Sequence, residues 1–290
     1  MKLSRLYNQV LKFGRDKDPR TKKSKISYAD TALLYGDPDT RVNKVMVGID
    51  IDAAEILLAD KIRKSQGLDL VISHHPEGRA WAGFYKVMQL QVDMMVKAGI
   101  GRKEAQEMLD ERMQEVERRV LPQNHMRTVD AARILDMPLM CAHTPADNHV
   151  SDYIYKLLAR KKPKIVEDIL AILKEIPEYK EADRELSGPR IILGSPKRNV
   201  GKVFVEMTGG TEGSKEVYAN MHKRGIRTLV SMHLSEEHFK KVKDANLNVV
   251  IAGHISSDTL GLNLLLDRIE KEEPLEVIAC SGFRRFKHNL

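Results

Sequence analysis

Apolar positions along the chain alternate between two periods. Residues 44–50 (KVMVGID) form a β-rich run, and a helical pattern follows over 53–66 (AAEILLADKIRKSQ), closed by Gly67 at a plausible helix end. Residues 68–73 give the next strand. Two long helical patterns follow at 81–98 and 103–120, separated by Gly99-Ile100-Gly101. A short helix is expected over 130–135 and a short apolar strand over 138–142 (PLMCA). Strand, helix, strand in repetition predicts an α/β fold with a largely parallel or mixed sheet.

Beyond residue 160 the pattern weakens and then resumes. Residues 165–176 read as an amphipathic helix, and 177–189 as a polar, turn-prone linker. Strands are expected at 191–193, 202–207, 228–232, 248–252 and 276–279, with helices at 214–224 and 236–246. The expectation is two α/β domains, 1–165 and 166–290, with a cleft between them.

Composition changes this picture little. At 290 residues, 42% hydrophobic and 31% charged, the chain can fill a large core and keep a polar surface. No apolar stretch approaches the ~20 residues of a membrane span. The N-terminus lacks the apolar core of a secretory signal, and Cys141 and Cys280 make no disulfide framework, so a cytoplasmic protein is expected.

The net charge of +7 is concentrated at one end. Residues 1–27 hold nine Lys/Arg against two Asp, leaving a neutral remainder of 39 basic and 39 acidic residues. This segment reads as a solvated arm, or else as a contact for phosphate-bearing partners. With 5% aromatic residues, base-stacking platforms for nucleic acid are not expected.

The chemistry lies where strands end. The strand at 68–73 runs into His74-His75, that at 138–142 into His143, that at 228–232 into His233, and that at 248–252 through Gly253 into His254. In α/β sheets the C-terminal strand ends are where ligands bind, so four such endings point to a shared site. Carboxylates accompany them: His143 precedes Asp147, and His254 precedes Asp258, each at i, i+4 on one helix face if a helix begins there. Pro145 permits this only within a first turn. Imidazole with carboxylate suits zinc, iron, manganese, nickel or cobalt. Adjacent histidines diverge, so His74 and His75 suit two neighbouring ions better than one. This ligand set would suit a dinuclear site with bridging carboxylates.

The segments SHHP, CAHTPADN and GHISSD, with MTGGTEGS and LVSMHLSEEH between them, resemble the Nif-three-like family, whose members often carry the name GTP cyclohydrolase 1 type 2 homologue. The resemblance covers most of the chain. It implies two α/β domains with a di-metal site in the inter-domain cleft, and often a ring-shaped homohexamer. Carried over by motif, the implied metal ligands are His74, His75, Asp147, His254 and Asp258. Asp258 stands where the family usually has Glu, one methylene longer. The segment between SHHP and AHTPAD is also longer than usual, filled by the helices at 81–120.

His143 is open between orienting Asp147, touching substrate, and capping a strand. His233 is a candidate acid/base group. Asp50 can face the cleft, and Asp52 is expected to cap the following helix. The glycine-rich 209–214 segment is a turn or a phosphate cradle. Met88, Met94, Met95, Met108 and Met113 are expected in packing, and Cys141 in the core. His125, His149, His222, His238 and His288 are expected at the surface. Together these predict a homo-oligomeric, dinuclear metal-dependent hydrolase of a small, nucleotide-like or phosphate-bearing substrate, with two divalent ions and proton transfer by His143 or His233. The alternative is a non-catalytic metal-binding protein serving as reservoir, chaperone or regulatory partner. Nucleic acid and membrane partners are not expected.

Overall fold

Two sheets arise from the alternation read above, with helices on their faces. In this computed structural model, residues 1–20 and 26–288 are described. The chain runs α1 (Leu3–Lys17), β1 (Thr31–Tyr35), β2 (Lys44–Gly48), α2 (Ala53–Gln66), β3 (Leu70–Ser73) and α3 (Gly78–Ala82). A 3₁₀ segment, Phe84–Gln89, leads to α4 (Leu90–Lys97), α5 (Arg102–Val120), α6 (Arg127–Ile134), β4 (Leu139–Ala142) and α7 (Thr144–Lys161). Then come α8 (Val166–Lys174), α9 (Pro177–Arg184), β5 (Arg190–Leu193), β6 (Lys202–Glu206), α10 (Val217–Lys223) and β7 (Ile226–Ser231). The chain closes with α11 (Glu236–Asp244), β8 (Asn248–Ile251), α12 (His254–Glu272) and β9 (Glu276–Ala279).

The first sheet has the order β1-β4-β3-β2-β9 and the second β5-β8-β7-β6. Only the edge strands β1 and β5 pair antiparallel, so both sheets are mixed and mainly parallel, as the sequence predicts. Helices α7 and α12 lie between the sheets. Ala146, Leu262, Leu265 and Leu266 join the core of the first sheet, while Val150, Ile154, Leu260 and Leu264 join that of the second. Gly261 permits the close crossing of these helices: a Cβ there would stand 2.5 Å from the Ala146 carbonyl oxygen. Among the described residues, no helix is long and apolar enough to cross a membrane.

Several expectations are corrected. Most of the basic N-terminal segment is no solvated arm. Leu3, Leu6, Val10 and Phe13 form one buried stripe of α1, at the i, i+3, i+4 spacing of a helix face. Lys2, Arg5, Lys17 and Arg20 pair with Asp39, Glu273, Asp152 and Asp18, so these four charges are engaged within the fold. Residues 21–25 of that segment lie outside the described residues. The expected helix at 81–98 is three pieces, broken at Gly83 and tightened to 3₁₀ before α4. The expected linker at 177–189 contains α9, whose Pro177 starts the helix and whose Tyr179 is fully buried.

The sheets do not follow one cut in the sequence. Strand β9, from the last twenty residues, pairs with β2 in the first sheet. Conversely, Phe84, Met88, Val92, Leu109 and Val116 pack under the second sheet, with Tyr218, Leu229 and Val249. A second region of 166–290 therefore lacks part of its core and carries a strand of its neighbour. Met88, Met94 and Met95 are buried, and Met108 and Met113 pack against the same cluster.

Candidate metal centre

Parallel strands end on one side, and the loops that follow them carry the chemistry. His74 follows β3 and His143 follows β4 of the first sheet, while His233 and His254 follow β7 and β8 of the second. Helix α7 begins at Thr144 with Pro145 in its first turn, and α12 begins at His254, so Asp147 and Asp258 both lie at helix starts. The turn into α12 needs a glycine: Gly253 has φ +107°, and a Cβ there would stand 2.5 Å from Ser256 Oγ.

Asp258 is the centre of the cluster. Its Oδ1 lies 3.4 Å from His74 Nε2, while its Oδ2 lies 3.4 Å from His75 Nε2 and 3.5 Å from His254 Nε2. Asp147 Oδ1 stands 3.4 Å from His74 Nε2, and Asp147 Oδ2 3.8 Å from His143 Nε2. The five residues singled out as ligands thus converge, and the short Asp258 side chain reaches both histidine groups. Three overlapping sets have the spacing of metal ligands: His74/His75/His143, His75/His254/Asp258 and His74/Asp147/Asp258.

Each inner histidine is oriented from behind. His74 Nδ1 donates to the Ala142 carbonyl at 3.1 Å, His75 Nδ1 to Asp50 Oδ1 at 2.6 Å, and His143 Nδ1 to Asp30 Oδ2 at 2.7 Å. Because these partners only accept, Nε2 is the nitrogen left to ligate. Asp30 also accepts from the Thr144 hydroxyl at 2.6 Å, which ties His143 to the start of α7. Asp52 caps α2, with Glu55 completing a capping box.

The centre fits a cation. Among the described residues, His74 Nε2, Asp147 Oδ1 and Asp258 Oδ2 are buried without a hydrogen-bond partner. Such atoms are costly in an interior unless something satisfies them, and cations held among them would do so. Burial pulls the His74 pKa down, but Asp258 and Asp147 more than reverse this and raise it to about 10. His75 is likewise pulled down by burial and raised, by Asp258 and Asp50, to about 9. Burial works against the Asp258 carboxylate, yet the surrounding histidines hold it well below the usual range. His254 is lowered by burial to about 4 and keeps a free lone pair at neutral pH. The two carboxylates at the heart of the cluster thus demand positive charge.

His233 borders the cluster, its ring 4.8 Å from that of His254. Its Nδ1 faces Glu212 Oε1 at 3.7 Å, and Glu212 holds its pKa above the usual imidazole value. Burial raises the pKa of Glu212, but His233 and the Ser235 N–H bring it down to about 2. The glycine-rich segment is packed on the 84–91 region, with Gln91 donating to the Gly209 and Thr211 carbonyls at 2.8 and 2.6 Å. Cys141 is buried against the Asp30 and Ala32 carbonyls, and burial pushes its thiol up to about 12.

Two surface assignments fail. His149 and His238 are 2% exposed. His149 faces inward from α7 and donates to Pro145 O at 2.7 Å. His238 pairs with Ser235 Oγ at 2.7 Å and the Gly213 carbonyl at 2.9 Å. His125, His222 and His288 are partly buried. Sequence reasoning missed Asp30 and Glu212, the carboxylates behind His143 and His233. Both stand far from their partners in the chain, and no local spacing marks them.

Fold and cluster together define an α/β protein of two mixed sheets with a histidine–carboxylate centre, fit for a metal ion, between them. No family model matches the sequence, and no curated protein matches it significantly. Among solved structures, the chain is similar to a NIF3 superfamily protein from Sphaerobacter thermophilus, with 26% identity over 97% of this chain and 98% of that one, at a TM-score of 0.81. This likeness over nearly the whole of both chains supports a NIF3-like assignment for the chain. Its fold is shared by HcgD from Methanocaldococcus jannaschii, 17% identical over 96% and 97% of the two chains at a TM-score of 0.58. It is shared also by a Staphylococcus aureus hypothetical protein, 15% identical over 99% of each chain at 0.54.

Proposed function

We propose that the cluster is a dinuclear metal centre and that the protein is a metal-dependent hydrolase of a small substrate. The observation that carries this is the division of Asp258. One oxygen faces His74 and the other faces His75 and His254, so a single carboxylate addresses two positions. His74, Asp147 and Asp258 would hold one ion, and His75, His254 and Asp258 the other. Divalent ions there supply electrophilic charge that acidifies water and stabilises negative charge developing on a substrate oxygen.

The chain's own groups support turnover over storage. His143 and His233 each have Nδ1 facing a carboxylate, Asp30 and Glu212, which leaves Nε2 to accept or donate a proton. A metal reservoir requires no such second ring. Beside the cluster lies a pocket of about 480 Å³, lined by His75, His143, His233 and His254, with room for a small molecule.

Elemental analysis of purified and metal-reloaded protein tests the reading. Two equivalents per chain are expected, falling in His74→Ala and Asp147→Ala. No metal in the reloaded parent contradicts it. Full metal loading, with no hydrolysis across a screen of phosphoesters, cyclic amides and nucleotides, refutes the catalytic part.

A further inference from the structure

The pocket over the cluster has a second wall, built by the long segment between β3 and β4. Trp81, the chain's only tryptophan, lies on α3 and lines this pocket. Its indole N–H donates to Gln123 Oε1 at 2.9 Å, and the Gln123 amide donates to the Arg119 carbonyl at 3.2 Å. The indole is thereby fixed from the end of α5. Its ring centroid lies 5.0 Å from that of Phe84, and Phe84 lies 5.5 Å from His143. His143 in turn stands 4.9 Å from His74. Rings therefore run unbroken from Trp81 to the metal-ligand candidates.

The charge of the same pocket points the same way. Among the described residues, Asp50, Asp52 and Glu77 line it, with one guanidinium, Arg127, paired with Asp52 at 3.0 Å. No lysine lines it. Asn124 and Thr211 add neutral hydrogen-bonding groups. Asp52 is paired with Arg127 and Asp50 with His75, so among the described residues Glu77 is the lining carboxylate outside an ion pair, and a phosphate chain reaching out through this region meets no unpaired Lys or Arg. A flat ring meets an aromatic face and neutral donors and acceptors.

We propose that the part of the substrate remote from the metal centre is a flat nitrogen heterocycle, uncharged or cationic, stacked on the half-buried Trp81 indole beside the buried Phe84 ring, and that the pocket discriminates against a phosphate chain. This rests on the reading of the cluster as the seat of the chemistry and adds what the substrate looks like.

Trp81 reports on its own ligand, since it is the only indole in the protein. Titrating metal-loaded full-length protein with guanosine or adenosine, at fixed free zinc, is expected to give saturable quenching of its fluorescence. The corresponding nucleoside triphosphates are expected to bind about tenfold more weakly or worse. Phe84→Leu, which keeps most of the apolar volume, is expected to weaken the nucleosides about tenfold through loss of the ring that packs beside Trp81, with bound metal unchanged. Triphosphates binding more tightly than nucleosides overturn the proposal. So does the absence of saturable quenching by either nucleoside up to its solubility limit. Bound metal is measured in the same samples: its absence would defeat the dinuclear reading alone, because the quenching still decides whether the aromatic wall takes a ring.

Discussion

His74 and His149 are both buried, and among the described residues neither Nε2 has a hydrogen-bond partner. What faces that nitrogen differs. His74 looks onto Asp147 and Asp258 at 3.4 Å each, and its pKa rises to about 10. His149, on the other side of α7, is lowered to about 4 by burial, with Arg268 and Lys17 nearby adding to the effect. Without a metal ion, two imidazoles of equal burial thus favour opposite protonation states. The lesson is that a buried histidine signals a metal centre only when converging carboxylates make its unpartnered nitrogen one vertex of a negative cage.

The sharpest way to break this contrast is to remove the charge of the cage. Asp258→Asn keeps shape and takes away the carboxylate shared by both histidine groups. Bound metal is expected to fall from two equivalents to essentially none by elemental analysis, whereas His149→Gln is expected to leave it unchanged. Metal loss in both variants would erase the distinction between the two histidines.

A pH series tests the other side. His149 has a folded pKa of about 4 against about 6.5 in the unfolded chain. Between those values the unfolded chain takes up a proton that the folded protein refuses, so stability is full above pH 6.5 and falls as the pH drops toward 4. The contribution is about 2–4 kcal/mol. Urea unfolding at pH 7 and pH 4.5 is expected to show this loss in the parent and a smaller loss in His149→Gln. Equal losses would place the titration elsewhere.

A smaller effect is expected one step behind the cage. Asp50→Asn keeps a side chain near His75 but removes the carboxylate that receives its Nδ1 proton. Metal affinity, measured by competition with a chelator, is expected to weaken about tenfold, at the low end for such outer partners. The smallest change is expected at His238, satisfied on both nitrogens by Ser235 and Gly213. His238→Gln is expected to cost about 1–3 kcal/mol in urea unfolding and no metal. Metal loss in that variant would mean that a satisfied histidine contributes to the centre after all.

The cage was legible in the sequence because each part is local. His74 and His75 end a strand, and His143/Asp147 and His254/Asp258 fall at i, i+4 where helices begin. Short-range spacing therefore carries both ligand type and direction. Most of the alternating strands and helices were legible for the same reason, but the edge strand β1 and the full extent of α7 and α12 were not. What lay hidden depends on contacts far apart in the chain. Asp30 meets His143 across 113 residues, and Glu212 meets His233 through a loop. Helix α1 was obscured by its charge: the stripe of Leu3, Leu6, Val10 and Phe13 has helical spacing, but the intervening lysines and arginines dominate the composition. The burial of His149 and His238 is set by how helices pack, which no spacing along α7 or α11 announces.

Anomalous diffraction from crystals soaked in zinc, recorded at the metal edge, tests the central claim most directly. The account predicts two peaks, one on each side of Asp258 and about 3.5–4 Å apart, the separation of paired catalytic ions. The first would be held by His74 and Asp147, the second by His75 and His254. No peak at the cluster, or a single one that leaves one oxygen of Asp258 unligated, would contradict it.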